Sequence, residues 1–333
     1  MAVEGNEIGD NVKYDANGLL DDAHGVLVVA KASRVRIAGN RLYNNSGDGI
    51  QCEYTGAPTD ADAPVDVTVR DNRFWTDPAH YGQVEQGVDI KACRYVSIAG
   101  RVSPETNDPN AANQKFYGFV NTTGGRGGGA IVLHIGARNV LVANNRMWHS
   151  CFGVTFGDYD LSWPDTDSVV IRRNVVFNVD GGGDRCGNAI FAQRAQHVDI
   201  QHNTFDKVPL SAVSFGTSNG VPSNRIGDFD VFDNIIRDAG RFLTLNTSTV
   251  SSFSSDHNLF YGTTGGQDRF QLNGGAPQSL GGWQSAGFDP HSRVLDPRFI
   301  PGAGTTDDYY TEDTSPARGA ASDGTDIGFR QTW

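Results

Sequence analysis

Apolar and polar residues alternate along most of this chain, in short runs bounded by asparagine and glycine. One phrase returns throughout: an apolar-x-apolar run, two small or polar residues, an asparagine and a second alternating run. Clear copies centre on Asn40, Asn72, Asn145, Asn174, Asn203 and Asn234, fainter copies on Asn6 and Asn258, and a degenerate copy has Gly100 instead. Short strands that return every few tens of residues predict a β-solenoid, in which each repeat forms one coil.

An asparagine at one fixed corner of every coil has two physical reasons. Its side chain tolerates left-handed backbone angles, and its amide can hydrogen bond to the equivalent asparagine of the next coil. We therefore expect a ladder of asparagines along one edge of the solenoid.

A second strand occurs in each repeat, with the pattern small, apolar, any, apolar, any. Its eight copies span 25–29, 49–53, 87–91, 130–134, 153–157, 189–193, 212–216 and 242–246. Because side chains alternate along a strand, the second and fourth positions are expected to point inward and the third and fifth outward. This register predicts that Gln51 lies beside Asp89, and that Glu53, Lys91 and His134 are stacked neighbours.

The pattern resembles the right-handed parallel β-helix of the pectate-lyase-like superfamily, over about residues 6–261. That resemblance implies an all-β, single-domain solenoid. We expect coils over 1–262 and, over 263–333, an irregular C-terminal closing segment that packs on the same helix and covers its open end. The superfamily also suggests a secreted, periplasmic or cell-surface protein, although no signal peptide is recognisable in this chain.

Composition narrows the function classes. The 333 residues include 41 glycines, and 27 basic against 39 acidic residues give a net charge of −12. Long runs of helix formers and apolar runs of membrane length are absent, which excludes a helical bundle and a membrane-spanning segment. The acidic balance argues against a nucleic-acid partner and suits a divalent cation. The four cysteines lack CxxC spacing, so a structural zinc site is not expected and their pairing stays open.

Four ionisable groups cluster on the outward ladder within three consecutive coils. They are Glu53, Asp89, Lys91 and His134, and the other outward positions are small, neutral or apolar. One interpretation is a solvated charge ladder on an open face, in which each ion pair contributes little. The other is a functional site in a groove, walled by the long connections 55–64, 76–86, 101–129 and 158–167.

Residues 87–98 and 132–145 resemble two consecutive coils of the alginate lyase and chondroitinase B family of polysaccharide lyases. This resemblance implies β-elimination on a uronate-containing polysaccharide, with an acidic polysaccharide as the partner and Ca²⁺ as the cofactor. Lys91 would be the base, His134 the proton donor, and Asp89 and Glu53 groups that orient the carboxylate or bind the metal. Glu85 completes the expected metal ligands Glu53, Asp89 and Glu85, although the family's paired glutamates and its adjacent arginine are not reproduced.

Further polar and aromatic residues are candidates for substrate binding along the groove. Aromatic faces suit sugar rings, and cations suit uronate carboxylates. The candidates are Gln51, Arg94, Arg126, Tyr81, Tyr117, Tyr159, Trp163 and Gln193, with Phe116 as another loop aromatic.

Two alternatives to a lyase stay open. One is a non-catalytic or hydrolytic carbohydrate-binding β-helix, and the other is a uronate C5-epimerase, which shares the proton abstraction. Residues 287–291 resemble the Tyr-Gly-Phe-Asp-Pro-His phrase of mannuronan C5-epimerases, but they lie in the closing segment, where a turn with a capping histidine is expected. For His24, His197, His202 and His257 we expect ordinary surface roles, and for the whole protein a monomer without a membrane partner.

Overall fold

The chain folds into a right-handed parallel β-helix, as the repeat pattern predicted. The computed structural model describes residues 1–57, 59–101, 114–120, 128–157, 162–181, 186–216, 226–263, 266–300 and 309–329. Within these ranges the only helices are a short 3-10 turn, Pro78–His80, and one α-helix, α1 Leu280–Ser285.

Three strand faces surround the core, and we label them A, B and C. Face A is a nine-stranded parallel sheet. Its strands are β1 Ala2–Glu4, β6 Ser33–Ala38, β9 Val65–Arg70, β12 Arg94–Ala99, β15 Arg138–Ala143, β18 Thr166–Arg172, β21 Ala195–Gln201, β23 Gly227–Phe232 and β25 Phe253–Asp256.

Faces B and C belong to one 17-stranded sheet, because two long strands run through both. These long strands are β22 Thr204–Phe215 and β24 Ile235–Leu245. Face B also contains β2 Glu7–Gly9, β7 Arg41–Tyr43, β10 Arg73–Trp75, β13 Lys115–Tyr117, β16 Arg146–Trp148, β19 Val175–Phe177, β26 Leu259–Tyr261 and β28 Arg293–Val294. Face C also contains β5 Val26–Val28, β8 Ile50–Glu53, β11 Gln86–Lys91, β14 Gly129–His134, β17 Phe152–Phe156, β20 Asn188–Ala192 and β27 Phe270–Leu272. A separate antiparallel pair, β3 Lys13–Tyr14 and β4 Leu20–Asp21, lies in the first coil.

Each coil passes from face A through the asparagine corner to face B, and then through a loop to face C. At the corner the predicted ladder is present. The backbone N–H of Asn145 donates to Asn174 Oδ1 at 3.0 Å, and that of Asn174 donates to Asn203 Oδ1 at 2.9 Å. In the degenerate coil the ladder position belongs to Gln114, whose Oε1 accepts the backbone N–H of Asn72 at 2.9 Å.

One reason given for the asparagines was wrong. The left-handed backbone angle belongs to the residue before the ladder position, and the ladder asparagine itself does not adopt it. Arg173, His202 and Asp233 have φ values of 54°, 52° and 61°, and they precede Asn174, Asn203 and Asn234. The ladder residue is asparagine because its short amide reaches both the next amide and a backbone carbonyl of the preceding coil, as in the 3.0 Å bond from Asn174 Nδ2 to the Val142 oxygen.

The inward positions form one continuous hydrophobic core along the solenoid. In its first half, the rings of Phe74 and Phe116 stack with centroids 4.6 Å apart. The glycine that begins four of the face C repeats, at positions 25, 49, 87 and 153, is explained by this packing. A Cβ on Gly49 would lie 2.6 Å from the carbonyl oxygen of Gly87 and 2.8 Å from the Phe74 ring, so glycine permits the close approach.

All four cysteines are paired, as Cys52–Cys93 and Cys151–Cys186. Each disulfide links adjacent coils, and the sequence separations of 41 and 35 residues correspond to about 3–4 kcal/mol of loop-closure stabilisation each. Two strands after residue 262, β27 and β28, continue the solenoid, because they pair with β24 and β26. Within residues 309–329, Ala317 and Ile327 pack with Ile235 and Leu259 of face B.

Candidate functional site

The predicted register on face C is confirmed. Asp89 pairs with Gln51 on one side and Val132 on the other. Lys91 pairs in the same way with Glu53 and His134. The ionisable groups therefore occupy adjacent strands on one outward surface.

Asp89 lies at the centre of this cluster. Its Oδ2 is 3.1 Å from Lys91 Nζ, and its Oδ1 is 2.8 Å from His134 Nε2. The Asp89 side chain is only 3% exposed, whereas Lys91 and His134 are each 20% exposed. A solvated ladder on an open face would leave the carboxylate in water. A buried carboxylate that contacts two half-buried partners, Lys91 and His134, favours a functional site over a solvated charge ladder.

These contacts set the charge states of the pair. Burial would raise the pKa of Asp89, but the charge and hydrogen bonds of His134 and Lys91 outweigh burial and hold that pKa below its usual value. Burial would lower the pKa of Lys91, but the ion pair with Asp89 outweighs it and raises that pKa. Lys91 is therefore a protonated ammonium at neutral pH, whereas the predicted role as base needs its pKa lowered.

A second buried carboxylate, Asp48, joins the site and was not predicted. Its Oδ2 accepts a hydrogen bond from Gln51 Nε2 at 3.1 Å and lies 3.2 Å from His24 Nδ1. Burial, reinforced by the negative charge of Asp89, raises the pKa of Asp48 to about 7. The hydrogen bond to Asp48 raises the pKa of His24, so this histidine is part of the network and its expected surface role was wrong.

A sequence signal for these two residues existed. His24 and Asp48 each directly precede the glycine that begins a face C strand, so extending the register by one residue places them in neighbouring coils. The raised pKa had no such signal, because it depends on the loops that bury the carboxylate.

The predicted Ca²⁺ ligands do not form a cation-binding group here. Both Asp89 oxygens already contact Lys91 and His134. Across the described ranges, three carboxylate, imidazole or thiolate ligand atoms converge only at Asp256, His257 and His291, on another part of the fold. Ca²⁺ at Glu53, Asp89 and Glu85 stays a prediction, and no step of the chemistry below depends on it.

The predicted substrate-binding residues are dispersed. Gln51 and Gln193 are buried, with exposures of 2% and 7%. Arg94 begins a face A strand, and its Nη1 donates to the Thr59 carbonyl oxygen at 3.4 Å. Tyr81 is half-buried after the 3-10 turn, where burial and the charge of Asp180 raise its pKa. Trp163 is half-buried, while Arg126 and Tyr159 lie outside the described residues.

Phe116 and Tyr117 are strand residues, so their expected place in a loop was wrong. Phe116 points into the core, and Tyr117 belongs to a column of stacked aromatic rings on the outside of face B. The centroid distances are 4.5 Å for Tyr43–Trp75, 6.3 Å for Trp75–Tyr117, 4.6 Å for Tyr117–Trp148 and 5.5 Å for Trp148–Phe177.

This aromatic column also has a sequence signal, which the repeat phrase alone did not reveal. Each ring is the third residue after a ladder position. The residue directly after the ladder position is basic in four coils, as Arg41, Arg73, Lys115 and Arg146. The guanidinium of Arg73 lies over the rings of Trp75 and Tyr117, with its Cζ 5.1 and 5.2 Å from the ring centroids. Arg73, together with Arg41 over the Trp75 ring at 5.4 Å, therefore stabilises the column through cation–π contacts.

Comparison with known proteins gives no matching family and only distant structural likenesses. Neither the known family profiles nor the curated proteins include a match to this sequence. Among solved structures, the chain resembles the complex of XylC with xylose (TM-score 0.47, 9% identity, 90% of this chain and 53% of that one). It also resembles a tailspike protein double mutant of E. coli bacteriophage HK620 in complex with a pentasaccharide (TM-score 0.34, 13% identity, 82% of this chain and 58% of that one). A third similar structure is the PL6 family alginate lyase AlyGC (TM-score 0.31, 11% identity, 100% of this chain and 55% of that one).

The chain spans about half the length of these three proteins. At such identities the likeness concerns the fold alone, because this solenoid hosts many activities. Fold and site together define a parallel β-helix protein with a buried, charged cluster on face C. Nowhere in the described part is there a helix long and apolar enough to cross a membrane.

Proposed function

We propose that this protein is an enzyme that acts on a polysaccharide at face C. The observation that carries the proposal is the Asp89 carboxylate, buried between Lys91 and His134 on the two adjacent strands β11 and β14. Two of these groups keep an exposed part that a substrate can reach. Buried ionisable groups with opposed pKa shifts are typical of catalytic sites.

The finer proposal is a lyase acting on a uronate-containing polysaccharide, with roles that differ from those expected. The protonated Lys91 binds the uronate carboxylate and neutralises the charge that develops on it. His134, held through Nε2 by Asp89, removes the proton at C5, and the electron pair forms the C4–C5 double bond as the C4–oxygen bond breaks. The leaving oxygen takes up a proton from water, and His134 releases the proton that it accepted to the solvent. Asp89 orients the imidazole and stabilises its charged form.

A second candidate, hydrolysis, is favoured by Asp48. Its pKa of about 7 keeps much of it protonated at neutral pH, whereas the lowered pKa of Asp89 keeps that group ionised. Two carboxyl groups with pKa values driven apart are the usual acid and base of glycoside hydrolysis. The Asp48 side chain is fully buried, so this function requires a path for its proton through the His24 imidazole.

The experiment is product analysis on alginate, pectate and glycosaminoglycans, with and without chelator. A lyase gives unsaturated ends that absorb near 235 nm, a hydrolase gives reducing ends without that absorbance, and an epimerase changes uronate composition without shortening the chain. The chelator arm tests the Ca²⁺ prediction. Binding without any product would identify a non-catalytic carbohydrate-binding protein and overturn the enzyme proposal.

Variants test the assigned residues. We expect Lys91→Ala and His134→Ala each to lower kcat/KM about 10²–10⁴-fold, the usual contribution of a general acid–base or charge-stabilising group. Lys31→Ala, an exposed lysine of another turn, is the matched control. Full turnover in His134→Ala would exclude it as the base.

The paired cysteines bear on location. Disulfides persist in oxidising compartments, so we propose a secreted, periplasmic or cell-surface protein. Purification of the native protein with both disulfides intact, under conditions that block thiol exchange, tests this.

A further inference from the structure

Two histidines and an aspartate converge where the last coil meets the closing segment. Asp256 ends β25, His257 follows it at the asparagine corner, and His291 comes from the closing segment. Asp256 Oδ2 lies 2.6 Å from His291 Nδ1 and 3.2 Å from His257 Nδ1. The three donor atoms all lie within 4.8 Å of one another.

The carboxylate of this cluster is fixed by its other oxygen. Asp256 Oδ1 accepts the backbone N–H of His257 at 2.8 Å and that of His291 at 2.7 Å. The imidazole rings stack with centroids 5.0 Å apart and an interplanar angle of 29°. Both Nδ1 atoms therefore face the same oxygen from a preorganised arrangement, which lowers the cost of placing three ligands around one ion.

A capping turn explains only part of this geometry. One histidine, His291, is sufficient to hydrogen bond Asp256 and hold the closing segment. The second adds a buried nitrogen, His257 Nδ1, which lies 3.2 Å from Asp256 Oδ2 but does not meet hydrogen-bond geometry with it. A buried polar atom that makes no well-aligned hydrogen bond costs free energy unless something else satisfies it.

We propose that Asp256, His257 and His291 bind a divalent transition-metal ion of the Zn²⁺ class. Two imidazoles and one carboxylate are the donors that such ions prefer, whereas Ca²⁺ takes oxygen ligands. The His291 side chain is 67% exposed, so its ring is free to turn. This rotation can lengthen the 2.6 Å distance between His291 Nδ1 and Asp256 Oδ2 until both atoms can bind the same ion. Water completes the coordination from the exposed side. The ion joins the closing segment to the last coil, independently of the site on face C.

The test uses tag-free full-length protein stripped with chelator and titrated with Zn²⁺ by calorimetry, with the melting temperature measured in parallel. We expect one equivalent to bind with roughly micromolar or tighter affinity and to raise the melting temperature, since a ligand that binds only the folded state stabilises it. The proposal would be overturned if Zn²⁺ showed no saturable binding or if the melting temperature did not rise.

Matched variants locate the site. His257 and His197 both have φ of 53°, a conformation that asparagine tolerates, and His197 is also close to carboxylates, with its Nδ1 2.7 Å from Asp167 Oδ1. We expect His257→Asn to weaken Zn²⁺ binding at least about tenfold and His197→Asn to leave it unchanged. Equal affinity in His257→Asn and wild type would place the ion elsewhere.

A nuclear magnetic resonance measurement on the wild-type protein tests the same site without any variant that could fail to fold. Of the eight histidines, Zn²⁺ should shift the imidazole nitrogen resonances of two. Shifts spread over many histidines, or over none, would contradict the assignment.

Discussion

At the scale of single residues, backbone angle and burial decide what each position does. The second residue of many face A strands is left-handed, as at Asp66, Tyr95 and Asn139, with φ of 60°, 55° and 53°. Aspartate and asparagine tolerate that conformation, whereas in tyrosine it is strained and lowers the stability of the folded protein. The sequence pattern did not reveal this position, because its occupants share neither polarity nor size.

Tyr95→Asn is expected to stabilise the protein by about 0.5–1 kcal/mol, because the left-handed angle is easier for asparagine and the tyrosine is 58% exposed. Chemical denaturation of both proteins measures the difference. Tyr14→Asn is the control, since Tyr14 is 56% exposed without a left-handed angle and should show no gain. A lower unfolding free energy for Tyr95→Asn would mean that a contact of the tyrosine ring stabilises the protein by more than the backbone strain destabilises it.

Asp48→Asn is expected to stabilise the protein at pH 8 and to have little effect near pH 4. Because burial raises the pKa of Asp48 to about 7, the folded state binds this proton more tightly than the unfolded state. The stability it contributes is therefore full below about pH 4 and is lost as pH rises through 7, by up to about 4 kcal/mol. Free energies of unfolding at both pH values, with the exposed Asp62→Asn as control, measure this.

At the scale of elements, the asparagine ladder was the most predictable feature and the aromatic column the least. The ladder followed from one residue type at one spacing, and the face C register followed from the period of two. The sequence did not reveal that Gln114 takes the ladder position expected at Gly100, because thirteen residues, 101–113, separate the two. The column uses tyrosine, tryptophan and phenylalanine in turn, so no single letter marks it.

Asn174→Ala is expected to cost about 3 kcal/mol of unfolding free energy. Its Oδ1 accepts the backbone N–H of Asn145, and its Nδ2 donates to the carbonyl oxygen of Val142 and to Asn203 Oδ1. Truncation leaves these buried groups without partners. Denaturant unfolding measures the loss, and Asn139→Gly, at an exposed left-handed asparagine, is expected to change stability little.

At the scale of the whole molecule, a net charge of −12 opposes an acidic polymer, so the site must attract it locally. Lys91 supplies positive charge at the surface of face C, while Asp48 and Asp89 lie beneath it. The architecture and this juxtaposition were predictable from the repeat. The charge states were not, because they depend on burial by loops that carry no repeat.

If the net charge dominates the encounter, KM for a polyuronate should fall as ionic strength rises from about 0.01 to 0.15 M, because the screening length shrinks from about 30 to 8 Å. Initial rates at several salt concentrations measure this, with a neutral polysaccharide as the control. A KM that rises with salt would show instead that the local positive groups dominate.

The closing segment fastens the last coil of the solenoid, where Asp289 Oδ1 accepts the Asn258 amide at 2.9 Å. In a stack in which each coil contacts only its neighbours, opening passes from coil to coil, and a coil fastened in this way resists it longest. The cluster on face C belongs to earlier coils, away from that closure. Mild heating should therefore abolish activity at face C while the last coil still protects its amides from exchange.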